Sequence, residues 1–269
     1  MVANPNGKVL VFDSGMGGLT VAREIQALAP TLAVDYAADS GFFPYGDKSD
    51  EALRARLPVV AKALCQVARP DVFVIACNTA STLALEEVRA ALDIPVIGTV
   101  PAIKPAAQLT RTGTIGLLAT PGTVRRAYTA QLIKDFASDL RVILHGSIAL
   151  VRMAEQVAAG RPVPLEAFRT VQAPLFEQEG GSEIDTLVLA CTHFPLVRGE
   201  LAASVPHAVN MVDSGEAIAR QTVRVLSHTE STSHELGGHV WLTSPLNGQS
   251  RLIEVCRRFG YLGIDQVAI

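Results

Sequence analysis

The chain is poor in the features that mark several large functional classes. It has no basic excess: 23 Lys and Arg against 26 Asp and Glu leave a formal net charge of −3, which argues against nucleic acid as a primary partner. Aromatic residues make up only 5% of the 269, too few to build stacking platforms for single-stranded nucleic acid. No apolar run approaches the roughly 18 residues that a membrane span requires, so no membrane partner is expected. The first eight residues, MVANPNGK, lack a charged region followed by an apolar one; they do not read as a signal peptide, and the expected compartment is the cytoplasm. Four cysteines are present, Cys65, Cys77, Cys191 and Cys256, but no Cys-x-x-Cys, which argues against a zinc ribbon or a thioredoxin-type motif. In a cytosolic chain all four are expected to be reduced.

What the chain does have is apolar content, 49% of residues, enough for one large α/β domain or two smaller ones, each with a core. Strand and helix patterns alternate. Strands are predicted at 8–12, 34–37, 71–76 and 96–98, with helices from 19 to about 28, from about 49 to 68 and from 81 to 92 between them. The pattern restarts near Pro101, with a helix to about 109, a strand at 114–118, a turn at 119–123 and a helix at 124–136. A strand at 141–144, helices at 148–158 and 165–177, and a strand at 186–190 follow. Residues 208–212 lead into Asp213-Ser214-Gly215 and a further helix. The polar tract 227–233 reads as a surface loop, 239–243 as an edge strand and 246–259 as a closing helix. This rhythm argues for parallel sheets with helices on both faces, in a pseudo-duplicated α/β protein.

Two segments are near-copies of one another. Val74-Ile75-Ala76-Cys77-Asn78-Thr79 and Val188-Leu189-Ala190-Cys191-Thr192-His193 are both apolar, partly β-branched runs that end in Ala-Cys and then turn polar. Each reads as a buried strand delivering a thiol to its carboxyl end, where α/β folds build their sites. A thiol that also begins a helix gains from the positive helix terminus, which favours the thiolate. His193, two residues past Cys191, is placed to assist proton transfer there. The plainer alternatives are a buried structural thiol in each case and a capping or packed histidine. For Cys65 and Cys256, both within helical patterns, the plain reading as small core residues prevails.

The turn Asp13-Ser14-Gly15-Met16-Gly17-Gly18 follows the first strand and opens a helix. It is neither Gly-x-Gly-x-x-Gly nor a P-loop, and reads equally well as a tight βα turn or as an anion cradle. Asp13 is out of place in an anion cradle, and a separate task, holding or accepting a proton near a thiol, suits it better. A matched pair of thiols fits one reaction type well. Inverting a stereocentre beside a carboxylate needs a base on one face and an acid on the other, and thiolate and thiol can exchange those roles. The developing carbanion then needs fixed donors on the carboxylate, which amides and hydroxyls at helix starts provide.

The chain resembles the glutamate racemases of the aspartate/glutamate racemase superfamily. The resemblance runs from Val9 to about Arg258 and rests on five motifs in order: residues 12–21 (FDSGMGGLTV), 44–46 (PYG), 76–81 (ACNTAS), 118–124 (LATPGTV) and 190–196 (ACTHFPL). It implies two pseudo-symmetric Rossmann-like or flavodoxin-like α/β domains with mainly parallel sheets and an active site in the cleft between them. The first domain would be discontinuous, residues 1–98 plus 209–269, with 99–209 inserted. The implied activity is interconversion of L- and D-glutamate without metal or pyridoxal phosphate, supplying D-glutamate for bacterial peptidoglycan. The alternatives are a racemase of another amino acid such as aspartate, or a non-catalytic protein that binds a small acid.

The resemblance also implies residue roles. Cys77 takes the α-proton from D-glutamate and Cys191 from L-glutamate, assisted by Asp13 and His193 respectively. Asp13, Ser14, Asn78, Thr79, Thr120, Thr123, Thr192 and His193, with the Pro44-Tyr45-Gly46 loop, hold the substrate. Glu155 is the best match to a family glutamate near the second cysteine, although its surroundings, Val151-Arg152-Met153-Ala154-Glu155, depart from the commoner Pro-Leu-Val-Glu; a solvated helix glutamate is the alternative. A homodimer is expected on the resemblance alone. Some family members bind DNA gyrase, and no residue here decides whether this chain does.

Overall fold

Four apolar runs become strands buried along their whole length. A computed structural model describes residues 7–227 and 238–269. The chain divides into two compact units, Met1–Thr99 with Gly215–Ile269, and Val100–Ser214. The reading of the first eight residues falls largely outside the described residues, as does the polar tract 227–233 apart from Ser227.

The first unit begins with β1 (Lys8–Asp13), α1 (Leu19–Leu28), β2 (Ala33–Ala38), α2 (Asp50–Ala68), β3 (Val72–Ile75), α3 (Asn78–Ala91) and β4 (Val96–Gly98). The second unit carries α4 (Ile103–Leu109), β5 (Thr114–Ala119), α5 (Pro121–Arg125), α6 (Ala127–Phe136), β6 (Arg141–Gly146), α7 (Ile148–Ala158), α8 (Leu165–Phe176), β7 (Thr186–Ala190), α9 (Arg198–Ser204) and β8 (Asn210–Val212). The chain then returns to the first unit with α10 (Gly215–Leu226), β9 (His239–Leu242), α11 (Ser250–Arg258) and β10 (Gly263–Gln266).

Among the described residues each unit has one parallel sheet. Their strand orders are β10-β9-β2-β1-β3-β4 and β6-β5-β7-β8. The run β2-β1-β3-β4 repeats in the second unit as β6-β5-β7-β8, so the two sheets are pseudo-symmetric copies with two strands added to the first. Every residue of β1, β3, β5 and β7 is buried. Helices on both faces leave these central strands no polar side, which is why they read as continuous apolar runs. Each fully buried Val, Leu, Ile or Phe in them contributes roughly 1.5–3 kcal/mol.

Helix boundaries follow local chemistry. In α2, Ser49 caps the start by accepting from the Ala52 N–H at 3.2 Å, and Asp50 and Glu51 occupy the first turn. The helix stops at Arg69, which has φ 48° and precedes Pro70. Its buried stripe, Leu53, Leu57, Val60, Ala61, Leu64 and Ala68, faces β1 and β3 in the core of the first unit.

Several expectations are corrected. The strand at 239–242 is not at the edge: β9 lies between β2 and β10, and β10 forms the edge. Gly263 lets this added strand approach, because a Cβ there would sit 2.5 Å from His239 Nδ1. Accordingly α11 does not close the chain. The helix expected from 81 begins at Asn78, directly after Cys77. The helix expected over 124–136 is broken at Arg126, whose ψ of 136° is extended. The turn before it is already helical, starting at Pro121 with Thr120 as its cap. No helix of the described residues is long and apolar enough to cross a membrane.

Candidate active site

Register brings the first set of residues together. Phe12 of β1 pairs with Ile75 of β3, and the Ala76 N–H donates to the Phe12 carbonyl at 2.8 Å. Asp13 and Cys77 therefore leave adjacent strands at the same level. Asp13 is fully buried, and its Oδ1 accepts from the Ser14 N–H at 2.6 Å and from the Ser14 hydroxyl at 3.3 Å. Gly18 makes room for it: a Cβ at Gly18 would lie 2.8 Å from Asp13 Cβ and 3.1 Å from Ala76 Cβ. That close approach, rather than a left-handed turn, is what the glycine at 18 provides.

Cys77 is the residue before α3, and its carbonyl accepts the helix's first hydrogen bond, from Ser81 N–H at 2.9 Å. The positive end of α3 therefore meets the thiol and favours negative charge there. Asn78 and Thr79, in the first turn, are buried. Asn78 Oδ1 is a buried acceptor with no hydrogen-bond partner among the described residues.

The Pro44-Tyr45-Gly46 loop packs against α3, with the Tyr45 ring 6.4 Å from that of Phe12. Tyr45 is buried and its hydroxyl donates to Asp39 Oδ2 at 2.6 Å. Asp39 also accepts from Arg56 Nε at 2.6 Å and Nη2 at 2.7 Å, and from the Thr243 hydroxyl at 2.6 Å. One fully buried carboxylate thus ties the end of β2, the loop, α2 and the end of β9 together. Asp39, Arg56 and Thr243 were not singled out from the sequence. The available signal was an aspartate one residue past an apolar strand, on the same chain level as Asp13.

The second set assembles in the same way. Ala119 of β5 pairs with Ala190 of β7 and with Gly146 of β6. Thr120 caps α5, accepting from Thr123 N–H at 3.3 Å, and the two threonine hydroxyls lie 3.1 Å apart. The Thr129 hydroxyl donates to the Thr123 carbonyl at 2.7 Å, which fixes this turn from α6. Cys191 and Thr192 are buried just past β7.

His193 Nδ1 is 3.9 Å from Cys191 Sγ, and its Nε2 is 3.2 Å from Glu155 Oε1 on α7. Glu155 is therefore in contact with His193 and is not a solvated helix residue. Burial by itself pushes the His193 imidazole down; its hydrogen bonds to Cys191 and Glu155 outweigh this and hold it well above the ordinary value of 6.5. Burial pushes the thiols of Cys65 and Cys256 up to about 12, and they stay neutral.

Asp39→Ala strips four donors of their acceptor and should lower the unfolding free energy by about 3 kcal/mol, the low end for a broken buried ion pair because Arg56 is partly exposed; urea denaturation measures it, and a loss within experimental error of zero would contradict the network. Glu155→Gln should lower the His193 pKa, read from the imidazole carbon and nitrogen shifts by NMR. Because that pKa is raised on folding, the stability it contributes is complete below about pH 6.5 and is lost as pH rises through the folded value. An unmoved His193 titration in Glu155→Gln would contradict the coupling.

Comparisons with known proteins identify the family. Residues 16–222 match the family model described as Asp/Glu/Hydantoin racemase. A glutamate racemase of Klebsiella pneumoniae (strain 342) is 42% identical over 268 residues, 99% of this chain and 94% of the relative. One from Sphingopyxis alaskensis is 49% identical over 217 residues, 81% of each. The crystal structure of Escherichia coli glutamate racemase in complex with L-glutamate and the activator UDP-MurNAc-ala superposes with a TM-score of 0.91 at 41% identity, covering 98% of this chain and 99% of that one. The chain belongs to the glutamate racemase family, a family of isomerases within the Asp/Glu racemase superfamily.

Proposed function

We propose that this protein interconverts L- and D-glutamate by a cofactor-independent, two-base proton transfer and so supplies D-glutamate for bacterial peptidoglycan. The observation that carries this reading is the equivalence of Cys77 and Cys191. Each follows an alanine at the carboxyl end of the corresponding strand, β3 or β7, of two sheets with the same strand order. The E. coli relative crystallised with L-glutamate supports glutamate over aspartate as the substrate. Cys77 belongs to the unit Met1–Thr99 with Gly215–Ile269 and Cys191 to the unit Val100–Ser214; residues 209–214, expected with the first domain, fall in the second, where β8 pairs with β7. A homodimer is part of it and rests on the resemblance alone.

From D-glutamate, the Cys77 thiolate takes the α-proton; an S–H bond forms as the Cα–H bond breaks, and the electron pair passes into the α-carboxylate. The Cys191 thiol then delivers its proton to the opposite face and is left as thiolate. From L-glutamate the roles exchange. Asp13 assists Cys77. His193 assists Cys191, and Glu155 holds the imidazolium that the raised His193 pKa favours. Ser14, Asn78, Thr79, Thr120, Thr123 and Thr192 hold the ammonium and carboxylates. The buried acceptor Asn78 Oδ1 suits an ammonium donor. Since the Tyr45 hydroxyl is bonded to Asp39, the Pro44-Tyr45-Gly46 loop contributes through its backbone.

Polarimetry on L-glutamate tests the reading: rotation should decay to zero, with L-aspartate as a parallel arm. A protein that leaves L-glutamate unchanged would overturn it, and faster decay of aspartate would move the substrate assignment. Cys77→Ser and Cys191→Ser should each lower turnover by at least about 10²-fold, the scale of a positioned acid or base. Cys65→Ala should retain turnover. Near-normal activity in either serine variant would remove that cysteine from the mechanism.

A further inference from the structure

The glycine turn after β1 is held from beneath by a tyrosine that the proposed mechanism does not use. Tyr36 lies on β2, in register with Val11 of β1, and is fully buried. Its hydroxyl donates to the Gly15 carbonyl at 2.6 Å. Its ring packs on that of Tyr261, past α11, with centroids 6.1 Å apart. Burial first, and then the nearby Asp13 charge, hold the phenol well above its ordinary range, so it keeps its proton and stays a donor. A planar trans peptide has its C=O and N–H on opposite sides, so a Gly15 carbonyl aimed at Tyr36 turns the Met16 N–H the other way. The two residues before this peptide are Asp13 and Ser14, already bonded to each other.

We propose that Tyr36 is a positioning residue for the Cys77 half of the reaction: by pinning the Gly15 carbonyl it fixes the turn that carries Asp13 and Ser14. The inference rests on the glutamate racemase reading and deepens it. Removing the hydroxyl leaves a buried carbonyl without its donor and frees the peptide to rotate. Asp13 then loses its fixed direction at the strand end, while the Cys191, His193 and Glu155 set is untouched.

Tyr36→Phe tests this through isotope effects. The equilibrium constant of a racemase is one, so kcat/KM must fall equally in both directions, by about tenfold for one lost buried hydrogen bond. What separates the two half-reactions is the primary deuterium isotope effect. It should rise with D-[2-²H]glutamate, whose deuteron Cys77 removes, and fall with L-[2-²H]glutamate. Isotope effects unchanged from wild type, whether or not kcat/KM falls, would overturn the proposal, because a merely structural role does not tilt the profile. Tyr261→Phe removes a neighbouring buried hydroxyl that has no hydrogen-bond partner among the described residues. It should keep both isotope effects at wild-type values, and a tilt there would place the cause in ring packing and overturn the assignment to the Gly15 bond. Should Tyr36→Phe not fold, 3-fluorotyrosine at position 36 keeps the donor. Its fluorine resonance should shift on adding D-glutamate, and an unmoved resonance would overturn the proposal. A wild-type protein inactive on glutamate would sink the underlying reading instead.

Discussion

The structure depends on the parallel register of the central strands. In a parallel sheet every strand ends on the same side, so residues one or two past the last paired position gather at one edge. Phe12 against Ile75 in the first sheet, and Ala119 against Ala190 in the second, set that level. Both proposed bases and a polar neighbour of each stand just beyond it: Asp13 and Cys77 in one unit, Thr120 and Cys191 in the other. A shift by one residue in either pair would turn every side chain to the opposite face and carry Asp13 out of level with Cys77, or Thr120 with Cys191. The fixed register is therefore also the device that fixes the thiols.

On that common plan the two units differ in what accompanies the thiol. Cys77 has the positive end of α3, a helix kinked at Ala84, and a buried aspartate across the adjacent strand. Cys191 has an imidazole held between its sulfur and Glu155. The same strand order with unequal neighbours is what a reaction needs when its two directions start from mirror-image substrates. Each thiol must serve as acid in one direction and as base in the other, and each is supported differently in doing so.

Much of this was legible in the sequence, and the illegible parts share a physical reason. The central strands of both sheets are legible because burial on two faces leaves a continuous apolar run, as in Val72–Ile75 and Thr186–Ala190. The sequence places the start of α3 three residues late, because Asn78, Thr79 and Ala80 look like loop residues although the helix begins directly after the thiol. The strand β10 was missed because Gly263-Ile264-Asp265-Gln266 is half exposed and has no apolar alternation. The Asp39 network and the bond from Tyr36 to Gly15 were missed for another reason. They join residues distant in sequence, up to Thr243, through side-chain oxygens, and no local pattern encodes a partner 204 positions away. The contact of Glu155 with His193 depends likewise on how α7 packs on the turn after β7.

In the proposed reaction, two thiols on equivalent strand ends act as separate bases on opposite faces of one carbon. Early turnover of L-glutamate in D2O decides it: the enantiomers are separated by chiral chromatography and the α-deuterium of each is measured by mass spectrometry. Two bases predict deuterium in the D-glutamate formed and protium retained in the L-glutamate that remains. Deuterium entering both enantiomers at equal initial rates would mean a single base serving both faces, and would contradict the account.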